Sequence, residues 1–177
     1  MGVDYVEKDV GELYALIFTA SMDELEKILK AGLRLGHHGV VERVYEEINV
    51  RLLQEKGAPD DVVDEFLRAN LRGDRRTAKK IAREYGVTLR EPSKKELEQG
   101  LRYAIGVRGY SIDDPSTSVG AFYQALYGDP RNEVITLPSD RMSIQIPYSE
   151  IIDPQLKQML NKWLLTSKGY TPIQDQL

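Results

Sequence analysis

The chain contains no cysteine and only two histidines, so it lacks most residues that build catalytic thiols and transition-metal sites. Without thiols it forms no disulfide, no cysteine nucleophile and no zinc site with sulfur ligands. The two histidines, His37 and His38, are adjacent, and neighbouring side chains on a helix or a strand point in different directions. A two-histidine metal site is therefore not expected, and we predict that the protein needs no cofactor.

Long apolar stretches are also missing. No stretch approaches the roughly 18 apolar residues of a membrane span, and residues Met1 to Tyr5 lack the basic and apolar regions of a signal peptide. We therefore expect no membrane span and an intracellular protein. A length of 177 residues, with 41% hydrophobic and 29% charged residues, suits one or two folded units. The abundance of Glu, Lys and Arg is typical of a thermophilic source.

What the chain does contain is an uneven charge distribution. Residues 68–108 hold twelve of the 24 basic residues and five acids, a formal charge of +7 in a chain whose net charge is −4. The segments on either side are acidic. Such a basic middle predicts contact with a polyanion such as a nucleic acid, mostly through its phosphates. The candidate nucleic-acid-binding residues are Arg72, Arg75, Arg76, Lys79, Lys80, Arg83, Arg90, Lys94 and Lys95.

Apolar residues at helical spacing predict a mainly α protein, a bundle of about seven or eight helices. Ser21 with Glu24, and Ser93 with Glu96, form capping boxes that predict two helix starts, and Asp74 is a third N-cap. A break is expected from Gly36 to Gly39. Pro59 is the predicted first residue of a helix whose buried stripe is Val62, Val63, Phe66, Leu67 and Leu71.

The last third of the sequence has a different character. Glu133 to Leu137 and Arg141 to Ile146 are predicted strands of one small β-hairpin around Pro138-Ser139-Asp140. A final helix opens at Asp153-Pro154, and residues 170–177 form an extended tail. A polar loop over residues 111–118 favours a helical domain at 1–109, containing the basic segment 68–108, and a C-terminal domain at 110–177. The same loop is compatible with one continuous domain.

The basic segment has three interpretations. It could contact phosphates without reading sequence, or pair with the acids between Glu42 and Glu65, within the chain or across copies. The third interpretation is a helix-turn-helix, because the stretch from Ile81 to Thr88 resembles the first helix and turn of that motif. Pro92, however, falls where the second helix needs an apolar core residue. The corresponding alternative function is a DNA-binding regulator that uses residues 77–101, or a protein–protein adaptor.

Acidic residues near the predicted hairpin are the only candidates for catalysis. Carboxylates there could bind a divalent cation for phosphoryl chemistry, but turn formation explains them more simply. No phosphate-cradling glycine loop or nucleophile elbow is present in the sequence. We therefore predict a non-enzymatic protein. The acids concerned are Asp113, Asp114, Asp129, Glu133 and Asp140.

In general layout the chain resembles the helical coat proteins of filamentous viruses of hyperthermophilic archaea. The resemblance rests on a cysteine-free, charge-rich helical sequence with a basic helix pair, a strand hairpin and an extended tail, and it covers composition and layout only. We predict a structural or assembly protein that self-associates, or assembles with a related subunit. The resemblance implies that it is a virion protein that wraps DNA. In that case the protein is located in the virion.

Overall fold

A computed structural model describes the backbone of residues 4–108, 112–136, 142–167 and 171–174, and the side chains of residues 4–108, 112–132 and 146–161. The predicted mainly helical class is confirmed. The described part contains eight α-helices: α1 Val10–Ile17, α2 Met22–Arg34, α3 His38–Glu55, α4 Asp60–Leu71, α5 Arg75–Glu84, α6 Lys94–Arg108, α7 Ser118–Tyr127 and α8 Pro154–Ser167. Its strands are β1 Val134–Thr136, β2 Met142–Ile146 and β3 Thr171–Gln174.

Both predicted capping boxes are formed. The backbone N–H of Glu24 donates to Ser21 Oγ at 3.2 Å, and that of Ser21 donates to Glu24 Oε1 at 3.2 Å. Ser93 and Glu96 make the same reciprocal pair at 3.1 Å before α6. These bonds satisfy N–H groups that have no partner inside the helix, so each box fixes where its helix begins.

The structure shortens the predicted break between α2 and α3, because His38 and Gly39 already belong to α3. The turn depends on Gly36, whose φ of +61° is accessible to few other residues. A Cβ at this position would lie 2.3 Å from the backbone nitrogen of Ala104, so the missing side chain also allows the turn to contact α6. A second correction concerns Pro59, which occupies the N-cap of α4 and not its first turn.

The chain forms two compact units that do not coincide with the predicted ranges 1–109 and 110–177. One unit comprises residues 1–29 with 40–92, and the other comprises residues 30–39 with 93–177. The chain passes between them inside α2, near the start of α3, and after Pro92. A polar loop in the sequence is therefore not where the compact units divide.

The first unit has a core made by the second half of α3, by α4 and by α5. Its buried members are Val50, Leu53, Ala58, Val63, Phe66, Ala69, Ala78 and Ile81. The buried stripe predicted for α4 is wrong at one position, since Leu71 is 89% exposed at the end of the helix. Helical periodicity continues to Leu71, but the last buried residue of α4 is Ala69.

The second unit is built on α6, which packs against α7 and α8. Gly100 of α6 lies so close to α7 that a Cβ there would be 2.4 Å from the ring of Phe122. Beside these helices is a sheet of order β1-β2-β3, in which β1 runs antiparallel and β3 parallel to β2. Strand β3 lies within the predicted tail, and the predicted turn at residues 138–140 lies outside the described residues.

A buried carboxylate joins α6 to the start of α8. Glu98 is only 2% exposed and accepts hydrogen bonds from the hydroxyl of Tyr127 at 2.9 Å and from the backbone N–H groups of Ile152 at 3.0 Å and Asp153 at 2.8 Å. Burial, and then the hydrogen bond to Glu98, raises the pKa of Tyr127. One turn further along α6, Arg102 pairs with Asp153 at 3.2 Å. Sequence patterns did not predict the burial of Glu98 or its contact with the start of α8.

Candidate nucleic-acid interface

Helix α5 is the most basic element of the structure, and Asp74 fixes its first turn. Asp74 Oδ1 accepts the backbone N–H of Thr77 at 3.1 Å, and Oδ2 accepts the Thr77 hydroxyl at 2.6 Å. These two bonds, the hydroxyl first, hold the pKa of Asp74 below its ordinary value. The predicted N-cap is therefore confirmed. Because the Asp74 carboxylate already lies at the N-terminus of α5 and accepts the N–H of Thr77, an anion would approach the flank of the helix and not its end.

The connection from α4 to α5 is three residues long, and each of its backbone N–H groups donates a hydrogen bond. Gly73 adopts a φ of +73°, and its N–H donates to the carbonyl of Asn70 at 3.1 Å. The N–H of Asp74 donates to the carbonyl of Ala69 at 2.8 Å, which completes a Schellman-type end to α4. Asp74 thus ends one helix and caps the next. This tight helix pair was not predicted from the sequence, although a glycine followed by an N-cap residue is its signal.

The two sides of α5 differ sharply. Its buried side consists of Ala78, Ile81 and Ala82, each no more than 5% exposed. At about 100° of rotation per residue, the exposed cations occupy an arc of roughly 140° on the opposite side. At 1.5 Å per residue the helix is about 15 Å long. The five exposed cations of α5 form a cationic arc: Arg75, Arg76, Lys79, Lys80 and Arg83.

Most of the cationic arc has no acidic partner in the part of the chain that the structure describes. Arg75 pairs with Glu91 of the following loop, and Arg72, just before α5, pairs with Asp74 at 3.2 Å. Among the described residues, no acid lies within 4.0 Å of the charged groups of the other four cations of the arc, Arg76, Lys79, Lys80 and Arg83.

The described ion pairs of the acids between Glu42 and Glu65 lie within α3 and do not involve the cationic arc. Where the structure describes their ion pairs, Glu46 binds Arg43 and Glu47 binds Arg51 at 3.2 Å, both inside α3. No described ion pair joins an acid of this segment to α5. These ion pairs give no support to intrachain pairing of the acids with α5, and the hypothesis for the whole basic segment 68–108 stays a prediction.

Arg90 is held in place by a residue that the sequence analysis did not select. Asn49, 7% exposed on α3, accepts the backbone N–H of Arg90 at 2.8 Å and donates to its carbonyl at 3.0 Å. The Arg90 guanidinium pairs with Glu26 at 3.1 Å. This cation therefore already has a partner inside its own unit. A lone asparagine in the apolar face of α3 was the only signal in the sequence.

The structure brings together six of the nine predicted site residues, which are Arg72 and the cationic arc. Lys94 and Lys95 are exposed in the first turn of α6, which belongs to the other compact unit. Residues 85–93 separate α5 from α6, whereas a helix-turn-helix has a connection of three or four residues. Helices α5 and α6 are therefore not joined by a turn of that kind.

The acids considered for metal binding do not form a site in the described part. Asp129 pairs with Arg131 at 2.6 Å, and this contact lowers the pKa of Asp129. No group of three residues with metal-ligating side chains is found among the described residues, which exclude the side chains of Glu133 and Asp140. Burial, followed by the charge of Arg108, lowers the pKa of His37.

Of the helices that the structure describes, none combines the length and apolar character needed to cross a membrane. No protein-family model, curated protein or solved structure matches this chain.

Proposed function

We propose that the protein is a non-enzymatic nucleic-acid-binding protein that contacts backbone phosphates through α5. The observation that supports this proposal is the cationic arc, in which five cations share one exposed side of a helix and four of them lack a described acidic partner. Unpaired arginine and lysine side chains neutralise phosphates whatever the base sequence. Surface cations whose role is structural are expected to have acidic neighbours at helical spacing. Of these four cations only Lys80 has one, Glu84, and the described ion pairs do not include that pair.

The dimensions of α5 suit a duplex. Double-stranded DNA carries one phosphate charge per roughly 1.7 Å of axis when both strands are counted. A helix about 15 Å long therefore lies beside about nine phosphates, and its five cations can reach some of them. The net charge of −4 does not oppose this contact strongly. Screening at physiological salt acts over about 8 Å, so a bound phosphate is influenced mainly by the nearby arc.

The test is the salt dependence of binding to a fluorescent DNA duplex. If five cations meet phosphates, the logarithm of the association constant should fall with the logarithm of salt concentration with a slope of about −4.5. A variant with Arg76, Lys79, Lys80 and Arg83 changed to Gln should retain its helical circular dichroism and have a slope near −1.

A matched control removes four cations from other elements. Lys27, Lys30 and Arg34 lie on α2, Lys56 follows α3, and all four are exposed. Changing these four to Gln alters the net charge by the same amount as the α5 variant. We expect its binding to stay close to that of the wild type. Equal losses in the two variants, or wild-type binding that is insensitive to salt, would refute the role of α5.

We further propose that this contact serves assembly, in keeping with the resemblance to filamentous-virus coat proteins. Phosphate binding that ignores sequence allows many copies to cover one nucleic acid. Sedimentation of the protein with duplexes of increasing length should then give complexes whose mass rises with duplex length. A single copy bound per duplex at saturation, whatever its length, would contradict the assembly role.

A sequence-reading regulator is a second candidate, and the three-residue connection between α4 and α5 favours it. A helix presented on a tight, glycine-containing turn is how many proteins place a helix in the major groove. In this version α5 reads bases as the second helix of the α4–α5 pair. Selection from random duplexes distinguishes the candidates, because a regulator enriches one sequence whereas a phosphate-binding coat protein enriches none.

A further inference from the structure

The last residue of α4 presents an exposed apolar side chain in an arginine-rich stretch of the sequence. Leu71 is 89% exposed, the largest exposed fraction among the large exposed hydrophobic residues that the structure describes. Four exposed arginines lie within five residues of it in the sequence, Arg68, Arg72, Arg75 and Arg76, together with one acid, Asp74.

The backbone around Leu71 is fixed. Its own helix ends in the hydrogen bonds from Gly73 to Asn70 and from Asp74 to Ala69, and α5 begins immediately afterwards on the Asp74 cap. A side chain on such a turn loses little backbone freedom when it meets a partner, because that freedom is already lost. Leu71 is therefore a preorganised apolar contact point next to the first turn of the cationic arc.

We infer that Leu71 makes apolar contact with the bases of a DNA duplex when the cationic arc binds its phosphates. This inference rests on the proposed nucleic-acid function and adds a contact that a bare polyanion cannot make. The surrounding arginines place phosphates nearby, and in the grooves of a duplex the apolar surface lies on base edges and thymine methyl groups. Apolar side chains that touch base edges or enter base steps occur in many duplex-binding proteins.

The same surface fits other partners less well. Proteins that bind single strands stack bases on exposed aromatic rings, and the exposed side of α5 has none, since Tyr85 packs against the core of the first unit. An anionic membrane requires a continuous apolar helix face, whereas the buried side of α5 already faces protein. Binding to a duplex requires of this surface only a single apolar side chain beside several cations that contact phosphates.

The experiment compares full-length wild type with Leu71→Ala on two polyanions, a DNA duplex and heparin, which has charge but no bases. Loss of three carbons that are about half buried in the complex should weaken duplex binding about tenfold. The salt slope should stay that of the wild type because no cation is removed. Heparin binding should not change. Ile152→Ala, which removes an aliphatic side chain that is 69% exposed in the other unit, should leave both affinities unchanged.

The possible outcomes separate this inference from the proposed function. Salt-dependent duplex binding that is equal in wild type and Leu71→Ala overturns the role of Leu71 and leaves the phosphate contact standing. Equal weakening on duplex and heparin also overturns it, because the side chain would then act without bases. Reduced binding to vesicles of anionic lipid, or reduced self-association without DNA, would assign Leu71 to a membrane or to a second copy instead. Absence of wild-type duplex binding refutes the proposed function itself.

Discussion

Replacing Glu98 with Gln tests whether the buried carboxylate holds the start of α8 against α6. The carboxylate accepts three hydrogen bonds, from the Tyr127 hydroxyl and the backbone N–H groups of Ile152 and Asp153. Glutamine has nearly the same shape but only one oxygen. Its NH₂ group would face at least one of these donors, so a buried N–H or O–H would lose its acceptor.

The expected loss of stability follows from that geometry. One unsatisfied buried donor costs about 1–3 kcal/mol, and each remaining bond weakens by about 1 kcal/mol because its acceptor is no longer charged. Removing a buried charge offsets part of this cost. We expect Glu98→Gln to lower the free energy of unfolding by roughly 2–4 kcal/mol. Tyr127→Phe leaves both backbone donors satisfied and should lower it by roughly 1–2 kcal/mol.

Urea unfolding measures these changes. It is monitored by far-ultraviolet circular dichroism and by the fluorescence of the single tryptophan, Trp163, which belongs to α8. Glu84→Gln, at an exposed position of α5, is the control and should change stability by less than about 0.5 kcal/mol. If Glu98→Gln were as stable as the control, the three hydrogen bonds would contribute nothing net and our account of α8 docking would be wrong.

Three further predictions concern single positions. Gly100→Ala should destabilise the second unit by about 1–3 kcal/mol because its Cβ meets the ring of Phe122. Gly106→Ala lies in open space on the same helix and should stabilise the unit by up to about 1 kcal/mol. Urea unfolding measures both changes. Asp74→Ala should lower the melting temperature at pH 7, and the difference from wild type should shrink as pH falls below about 4. The sign follows from the lowered pKa of Asp74, whose stabilisation is present above its ordinary pKa and is lost as pH falls through the folded value. Lys79→Gln should raise thermal stability and weaken duplex binding in the same protein.

Local sequence patterns predicted what depends on a few neighbouring residues. The capping boxes at Ser21 and Ser93 and the N-cap at Asp74 were found because each is complete within four residues. The basic side of α5 was found for the same reason, since its apolar residues are few and regularly spaced.

Features that depend on distant residues could not be read from those patterns. Glu98 looks like an exposed helical acid, and only the approach of residues 152 and 153 makes it a buried acceptor. Asn49 likewise acquires its role from a loop some forty residues away. Leu71 was predicted to be buried but is exposed. Periodicity indicates which side of a helix is apolar but not where the core beneath it ends.

The charge pattern of α5 favours binding over helix stability. Lys79 has like charges one turn away on both sides, at Arg75 and Arg83, and another at Arg76, and each such pair costs about 0.2–0.5 kcal/mol. The helix buries only three small or medium side chains, so it has little packing to offset this repulsion. Local conflicts of this kind are expected at functional sites. Neutralising Lys79 should therefore stabilise the chain by roughly 1 kcal/mol while removing one phosphate contact. A destabilised Lys79→Gln variant would instead show that the cationic arc has a structural role.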